Sequence, residues 1–99
     1  MTELQYPVVF GNIHSQNIKN LELLIDKTFP ISYSESFYDK VINLYQDLSC
    51  YAFINDVIVG GITCRVEEYK DKPYLYILTL SVFEEYRRGG IAKQLYEEI

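Results

Sequence analysis

Tyr86-Arg87-Arg88-Gly89-Gly90-Ile91-Ala92 stands between an apolar, strand-like stretch, Tyr74 to Val82, and the opening of a helical pattern. Residue types in that order make a cradle for a pyrophosphate. Gly89 and Gly90 let the backbone approach an anion, the first turn of a helix leaves N–H groups without partners, and Arg87 and Arg88 add positive charge. Two better-known phosphate loops are excluded by what is missing. A P-loop carries Lys-Ser or Lys-Thr after its last glycine, and a dinucleotide fingerprint carries three spaced glycines. The plain alternative for this run is a turn with two solvated arginines.

The elements that would hold such a cradle can be read from periodicity. Tyr6 to Phe10 is expected to be a first strand that stops at Gly11-Asn12. Ile18, Leu21, Leu24 and Ile25 recur at helical spacing after Ser15, a candidate N-cap, and Phe29-Pro30 ends that helix. Ser32-x-x-Glu35 has capping-box spacing for a second helix with Phe37, Val41, Leu44, Tyr45 and Leu48 on one face. From Cys50 the pattern turns extended. Cys50 to Ile54 and Val57 to Val66 are joined by Asn55-Asp56, a two-residue hairpin turn. Glu67 to Lys72 reads as a polar loop, after which Pro73 starts a third long strand where a missing N–H is tolerated. In that strand Tyr74, Tyr76, Leu78 and Leu80 share one face and Leu75, Ile77 and Thr79 the other, so both faces are expected to be buried and the strand central.

The last segment places Ile91, Leu95 and Ile99 on one helical face, with no Gly or Asn cap and with Glu97 and Glu98 at the unfavourable end of the dipole. Tyr74 to Val82 also lacks a later strand to cover its free edge. The expectation is the amino-terminal portion, residues 1–99, of a single domain.

Charge and composition narrow the function. Nine Lys and Arg against fourteen Asp and Glu give a net charge of -5, which argues against a nucleic-acid surface. No apolar run approaches the ~20 residues that span a bilayer, and Met1-Thr2-Glu3 opens no basic signal region, so the expected setting is cytoplasmic, with the nucleus an alternative. Cys50 and Cys64 lie in apolar runs and are expected as free buried thiols. His14, the sole histidine, has no neighbouring ligand types, so metal binding is unsupported. Glu84-Glu85 and Glu97-Glu98 read as solvated charge.

Arg87-x-x-Gly90-x-Ala92 after a strand resembles the coenzyme A motif of the GCN5-related N-acetyltransferases (GNAT). Phe29-Pro30-Ile31-Ser32-Tyr33, Phe37-Tyr38, Tyr51-Ala52-Phe53-Ile54-Asn55-Asp56, Cys64-Arg65-Val66 and Leu75-Tyr76-Ile77-Leu78-Thr79-Leu80 occur in order along the chain. Together they resemble the NatE-type branch, the N-alpha-acetyltransferase 50 enzymes, from about Phe10 to the end. The resemblance implies an α/β (α+β) acyl-CoA N-acyltransferase fold, a mixed and mostly antiparallel sheet with flanking helices, here C-terminally incomplete. It implies acetyl transfer from acetyl-CoA to a peptide or protein N-terminal amine, with Met before a bulky apolar residue preferred, and partnership with a NatA-type complex. Position by position, Tyr76 would be the catalytic tyrosine acting through water. Phe29, Pro30, Ile31, Tyr33 and Leu78 would meet the peptide. Leu80 and Val82 would offer backbone groups to the pantetheine arm, with a bulge near Leu80-Ser81 freeing the Val82 N–H as an oxyanion donor. Arg87, Arg88, Gly89, Gly90, Ile91, Ala92 and Lys93 would hold the pyrophosphate. The family's catalytic histidine and fifth strand have no counterpart before Ile99, and the family usually has Gly where Ala92 stands.

The chemistry is undemanding, since an α-amine with a pKa of about 8 needs only modest help to become a nucleophile. No covalent intermediate is required, so the lack of a Ser/His/Asp or Cys/His arrangement does not count against an enzyme. Plainer readings stand beside each assignment. Tyr76 can be a core aromatic and Phe29-Pro30 mere helix punctuation. Within the fold the rival is acetylation of a lysine or small amine. Outside it, the rival is a non-catalytic scaffold that binds a partner, or a second copy of itself, through the open edge of Tyr74 to Val82.

Overall fold

Two tight turns with left-handed backbone set the sheet. Asn55 (φ 49°) and Asp56 (φ 66°) join β2 (Cys50–Ile54) to β3 (Val57–Tyr69), and Lys70 (φ 53°) and Asp71 (φ 63°) join β3 to β4 (Lys72–Val82). Successive positive φ values at two central residues give the turn whose twist matches that of a hairpin. β1 (Val9–Asn12) pairs antiparallel with β2, so the four strands lie in the order β1-β2-β3-β4 in this computed structural model, which describes residues 6–30 and 32–99.

Strand alternation divides the core between the two faces of the sheet. On one face Tyr51 packs with Leu21, Leu24 and Ile25 of α1 (Ile18–Thr28) and with Tyr38 and Val41 of α2 (Glu35–Asn43). On the other, Cys50, Ala52, Ile62 and Cys64 pack with Ile91 and Leu95 of α3 (Ile91–Glu98). Each helix shows an apolar stripe of only two or three buried side chains, enough to dock on a sheet and too narrow for a fully buried helix.

Several expectations move by a few residues, each for a physical reason. β1 starts at Val9 and continues through Gly11 and Asn12, which pair with Tyr51 and Cys50; Tyr6 to Val8 leave the sheet. The N-cap of α1 is Asn17, not Ser15; its side-chain amide oxygen accepts from the His14 N–H at 2.8 Å and its backbone carbonyl takes the Tyr51 hydroxyl at 2.7 Å. The N-cap of α2 is Ser34, whose hydroxyl accepts from the Phe37 N–H, so the Ser32 capping box is not used. That helix ends at Asn43, leaving Leu44 68% exposed, and Leu48 falls in a 3-10 turn, Gln46–Leu48. The polar stretch Glu67 to Lys72 is mostly strand, with only Lys70 and Asp71 in the turn. Pro73, paired with Glu68 one step from that turn, has its nitrogen on the outer side, where no ladder bond is lost.

β4 is the largest departure. It is the edge of the sheet among the described residues, not its centre, and Tyr74, Leu75, Tyr76 and Ile77 are each 41–46% exposed. The register passes from Cys64↔Ile77 to Thr63↔Thr79, so Leu78 is an extra residue. This bulge sits at Leu78 rather than at Leu80-Ser81. It also breaks the simple alternation. Tyr76 lies opposite Arg65 on the α1 and α2 face, whereas Leu80 lies opposite Ile62 on the α3 face, so the two do not share a face.

Candidate functional site

The bulge decides which backbone groups β4 turns outward. Phe83 N–H donates to the Val59 carbonyl at 2.9 Å, so Phe83 and, two residues back, Ser81 and Thr79 point into the sheet. Alternation then turns the N–H and C=O of Leu80 and Val82 to the free edge. The outer carbonyl of Val82 is taken by the Arg87 side chain, whose Nε donates to it at 3.0 Å. Val82 therefore offers its N–H but not its carbonyl.

Beside those groups lies an open cleft of about 470 Å³ lined by Thr28, Leu80, Val82, Tyr86, Arg87, Arg88, Gly90, Ile91, Ala92 and Lys93. Eight of the nine residues assigned to the cofactor by sequence thus stand around one cavity. Its floor is strand, one wall is the first turn of α3, and the opposite wall is the last residue of α1. The left-handed Arg88 (φ 67°) and Gly90 (φ 78°) bend the chain so that α3 starts facing the cleft. Gly90 accepts the first helical bond, from Gln94 N–H at 3.0 Å, which leaves the N–H groups of Ile91, Ala92 and Lys93 as the donors of the helix start. No acidic residue stands in that turn to compete for them.

Gly89 is the exception. It is buried and off the cleft wall, and a methyl group there would fall on the Tyr6 ring, so its small size serves packing. Tyr86, which opens the cradle run without an assigned role of its own, belongs to the wall, and so does Thr28, which sequence reasoning missed. Nothing local marks Thr28, whose hydroxyl donates to the Leu24 carbonyl within its own helix; only the fold carries it to the strand edge.

The residues assigned to the peptide lie on the α1 and α2 side. Phe29 and Tyr33 are half-buried against the core of that face, the Tyr33 and Phe37 rings are 4.6 Å apart, and Pro30 is exposed. Ile31 lies outside the described residues. Tyr76 is on the same side of the sheet, 46% exposed, with the Arg65 guanidinium 5.9 Å from its ring centre and Arg65 paired in turn with Glu67. Leu78 at the bulge is half-buried between Tyr76 and the cleft-lining Leu80. Phe29 follows Thr28 directly, so the loop after α1 connects the peptide side to the cleft.

Nucleophilic thiol chemistry has no support. Burial, with smaller contributions from Glu98 and Cys64, pushes the Cys50 thiol up to about 11, and burial raises Cys64 as well, so neither is a thiolate near neutrality. Among the described residues there is no group of His, Cys, Asp and Glu placed to hold a metal ion, and no helix is long and apolar enough to cross a membrane.

The strand edge of Leu80 and Val82, the left-handed glycine entry and the helix start thus face one cleft, and the family model for the acetyltransferase (GNAT) family matches residues 18–99: the chain belongs to that family. It is 36% identical over 93% of its length to a probable N-acetyltransferase, san, of Drosophila melanogaster, and 35% identical over 93% to N-alpha-acetyltransferase 50 of Danio rerio. These matches cover 50% and 54% of the relatives, so the chain spans about half the length of the curated relatives it matches. Among solved structures it superimposes on Arabidopsis thaliana Naa50 in complex with the bisubstrate analogue CoA-Ac-MVNAL, with a TM-score of 0.80 and 31% identity, covering 91% of this chain and 60% of that one.

Proposed function

We propose that the protein transfers acetyl from acetyl-CoA to the α-amine of peptide N-termini, Met followed by a bulky apolar residue being preferred. The observation that carries this reading is the cleft in which the outward N–H of Val82, the Arg87 to Gly90 bend and the start of α3 converge. Support for a peptide acceptor comes from the relatives named N-alpha-acetyltransferase 50 and from the Naa50 complex, whose ligand joins coenzyme A to an acetylated peptide beginning with methionine.

The residues of this chain divide the work by face. Acetyl-CoA supplies the activated acyl group. The helix start and Arg88 and Lys93 hold the pyrophosphate, by partial positive charge and full charge together. The Val82 N–H, unpaired at the strand edge, donates to the carbonyl oxygen on which negative charge develops, and a backbone donor so placed costs no reorganisation when the amine attacks. Arg87, held by its Nε on the Val82 carbonyl, stiffens the bend at the cleft it lines. On the other face Tyr76 takes up the proton of the incoming amine through water, and Phe29, Pro30, Ile31, Tyr33 and Leu78 receive the first side chains of the peptide.

Turnover of a Met-Leu peptide with a free α-amine, compared with the same peptide capped at its N-terminus and carrying an internal lysine, tests the assignment. The free amine should be the acceptor, and Phe29→Ala should abolish its turnover while sparing acetyl-CoA binding. Acetylation of the capped peptide at lysine, or full peptide turnover by Phe29→Ala, refutes the peptide reading.

One observation favours a second reading. The edge of β4 exposes Tyr74, Leu75, Tyr76 and Ile77 together, which suits strand addition by a partner or a second copy. A strictly monomeric elution at high concentration speaks against self-association through that edge.

A further inference from the structure

Tyr6 stands at the far end of the sequence from the cleft, yet it closes the back of the bend that enters α3. Its N–H donates to the Gly89 carbonyl at 3.0 Å, and its own carbonyl accepts from the Gln94 side chain of α3 at 3.2 Å. Its ring lies over Gly89, in the space a side chain there would take, and meets Tyr86 edge-on with ring centres 5.7 Å apart. One residue therefore ties together the residue before Arg87, the middle of the bend and the residue that closes the first turn of the helix.

The bend needs such a tie. Arg88 and Gly90 both have positive φ, a conformation that an arginine adopts at a cost, and backbone of that kind persists only where its surroundings hold it. The direction of the Tyr6 bond matters further. In a trans peptide the carbonyl of Gly89 and the N–H of Gly90 point opposite ways. With the carbonyl held outward by Tyr6, the Gly90 N–H is turned away from Tyr6, toward the cleft that Gly90 lines.

We propose that Tyr6 is a positioning residue for the cofactor: it locks the Gly89-Gly90 peptide so that the Gly90 N–H joins those of Ile91, Ala92 and Lys93 as an anion donor. This rests on the cofactor reading of the cleft given above. Gly89 is then small because the lock occupies its side-chain space, not because the anion does.

The test is a double-mutant cycle on the full chain with acetyl-CoA as the probe, read by calorimetric titration and by hydrogen exchange over 86–94 without ligand. Tyr6→Ala retains the main-chain groups of both bonds but removes the ring, packed over Gly89 and against Tyr86, that holds them in place. With the Gly89-Gly90 peptide free to turn, the variant should bind acetyl-CoA about tenfold more weakly, the effect of losing the one Gly90 N–H donor. It should raise KM for acetyl-CoA with kcat and the peptide KM unchanged. Gly89→Ala should do the same by expelling the ring, and the double variant should be no worse than either single one. Tyr6→Phe, which keeps ring and backbone, should bind like wild type. Tyr6→Ala should also speed exchange in 86–94 and leave the sheet unaffected. Additive losses in the double variant, or unchanged exchange in Tyr6→Ala, would overturn the proposal. Failure of the wild-type chain to bind acetyl-CoA would overturn the cofactor reading and this role with it, while exchange would still report whether Tyr6 holds the bend.

Discussion

Leu95→Ala probes how the cleft wall is held. Only Ile91 and Leu95 of α3 are buried, at 2% and 0% exposure, so Leu95 supplies about half of what docks that helix on the sheet. Beneath it lies Gly60, where an added methyl group would stand 3.3 Å from a Leu95 methyl, so the fit is close and the site has little room to collapse. A closely enclosed leucine cut back to alanine costs about 3 kcal/mol, through lost transfer free energy and the cavity left behind. Against the roughly 5–15 kcal/mol that stabilises a domain, this is a large fraction. At about 4–8 °C per kcal/mol for a domain of this size, Tm should fall by about 12–24 °C. Leu44 provides the matched control: the same chemical change at a side chain 68% exposed should cost no more than about 0.5 kcal/mol. Differential scanning fluorimetry of both variants, with and without acetyl-CoA, reads the comparison. Because Ile91, Ala92 and Lys93 line the cleft, Leu95→Ala should also lose the ligand-induced rise in Tm that Leu44→Ala keeps. Equal shifts for the two variants would refute the packing of α3, and with it the cleft.

Three further expectations concern buried protons, a buried hydroxyl pair and an exposed turn. Folded Cys50 keeps its proton to about 11 against an ordinary 9.0, and Tyr38, raised mainly by burial and secondarily by Asp26 and Glu22, to about 12 against 10.0. Above pH 9 the unfolded chain thus releases protons that the fold retains, and stability present below that pH is lost as pH rises toward 11 and 12. A Tm that stays level to about pH 10.5 would contradict this linkage. The buried hydroxyls of Thr63 and Thr79 are 2.6 Å apart; Thr79→Val should cost about 1–3 kcal/mol in urea unfolding by stranding Thr63, and Thr63→Val with Thr79→Val together should cost less than the sum of the single changes. Replacing Lys70-Asp71 by Asn-Gly should stabilise by about 1 kcal/mol, since both positions have positive φ; an unchanged Tm would mean the turn is of another kind.

The sequence was informative where the interactions are local. Asn55-Asp56 announces its turn because side-chain amides and carboxylates tolerate left-handed backbone, whereas Lys70-Asp71 gives a weaker signal and was hidden inside a polar stretch. Ser32 and Ser34 are both plausible caps, and only the packing of Tyr38 and Val41 on the sheet selects the second. The bend before α3 was legible from its glycines, although the two glycines do different things. Gly90 has the backbone conformation expected of it, while Gly89 answers to a tyrosine at the other end of the chain. The bulge at Leu78 left no trace, because an unbroken apolar run looks the same with or without a slip in pairing.

That slip has a consequence for whatever meets the outer side of β4. Before it the outward-facing residues are Pro73, Leu75 and Ile77, and after it Leu80 and Val82, so the step between the two sets is three residues instead of two. A regular strand repeats every second residue and can stay in phase with one set only. A neighbour that zips along the first half must part from β4 near Leu78, opening a wedge whose mouth is lined by the donors and acceptors of the second half. The edge is thus two short templates spliced out of phase, one suited to a strand and the other left for an extended molecule that carries its own amide groups.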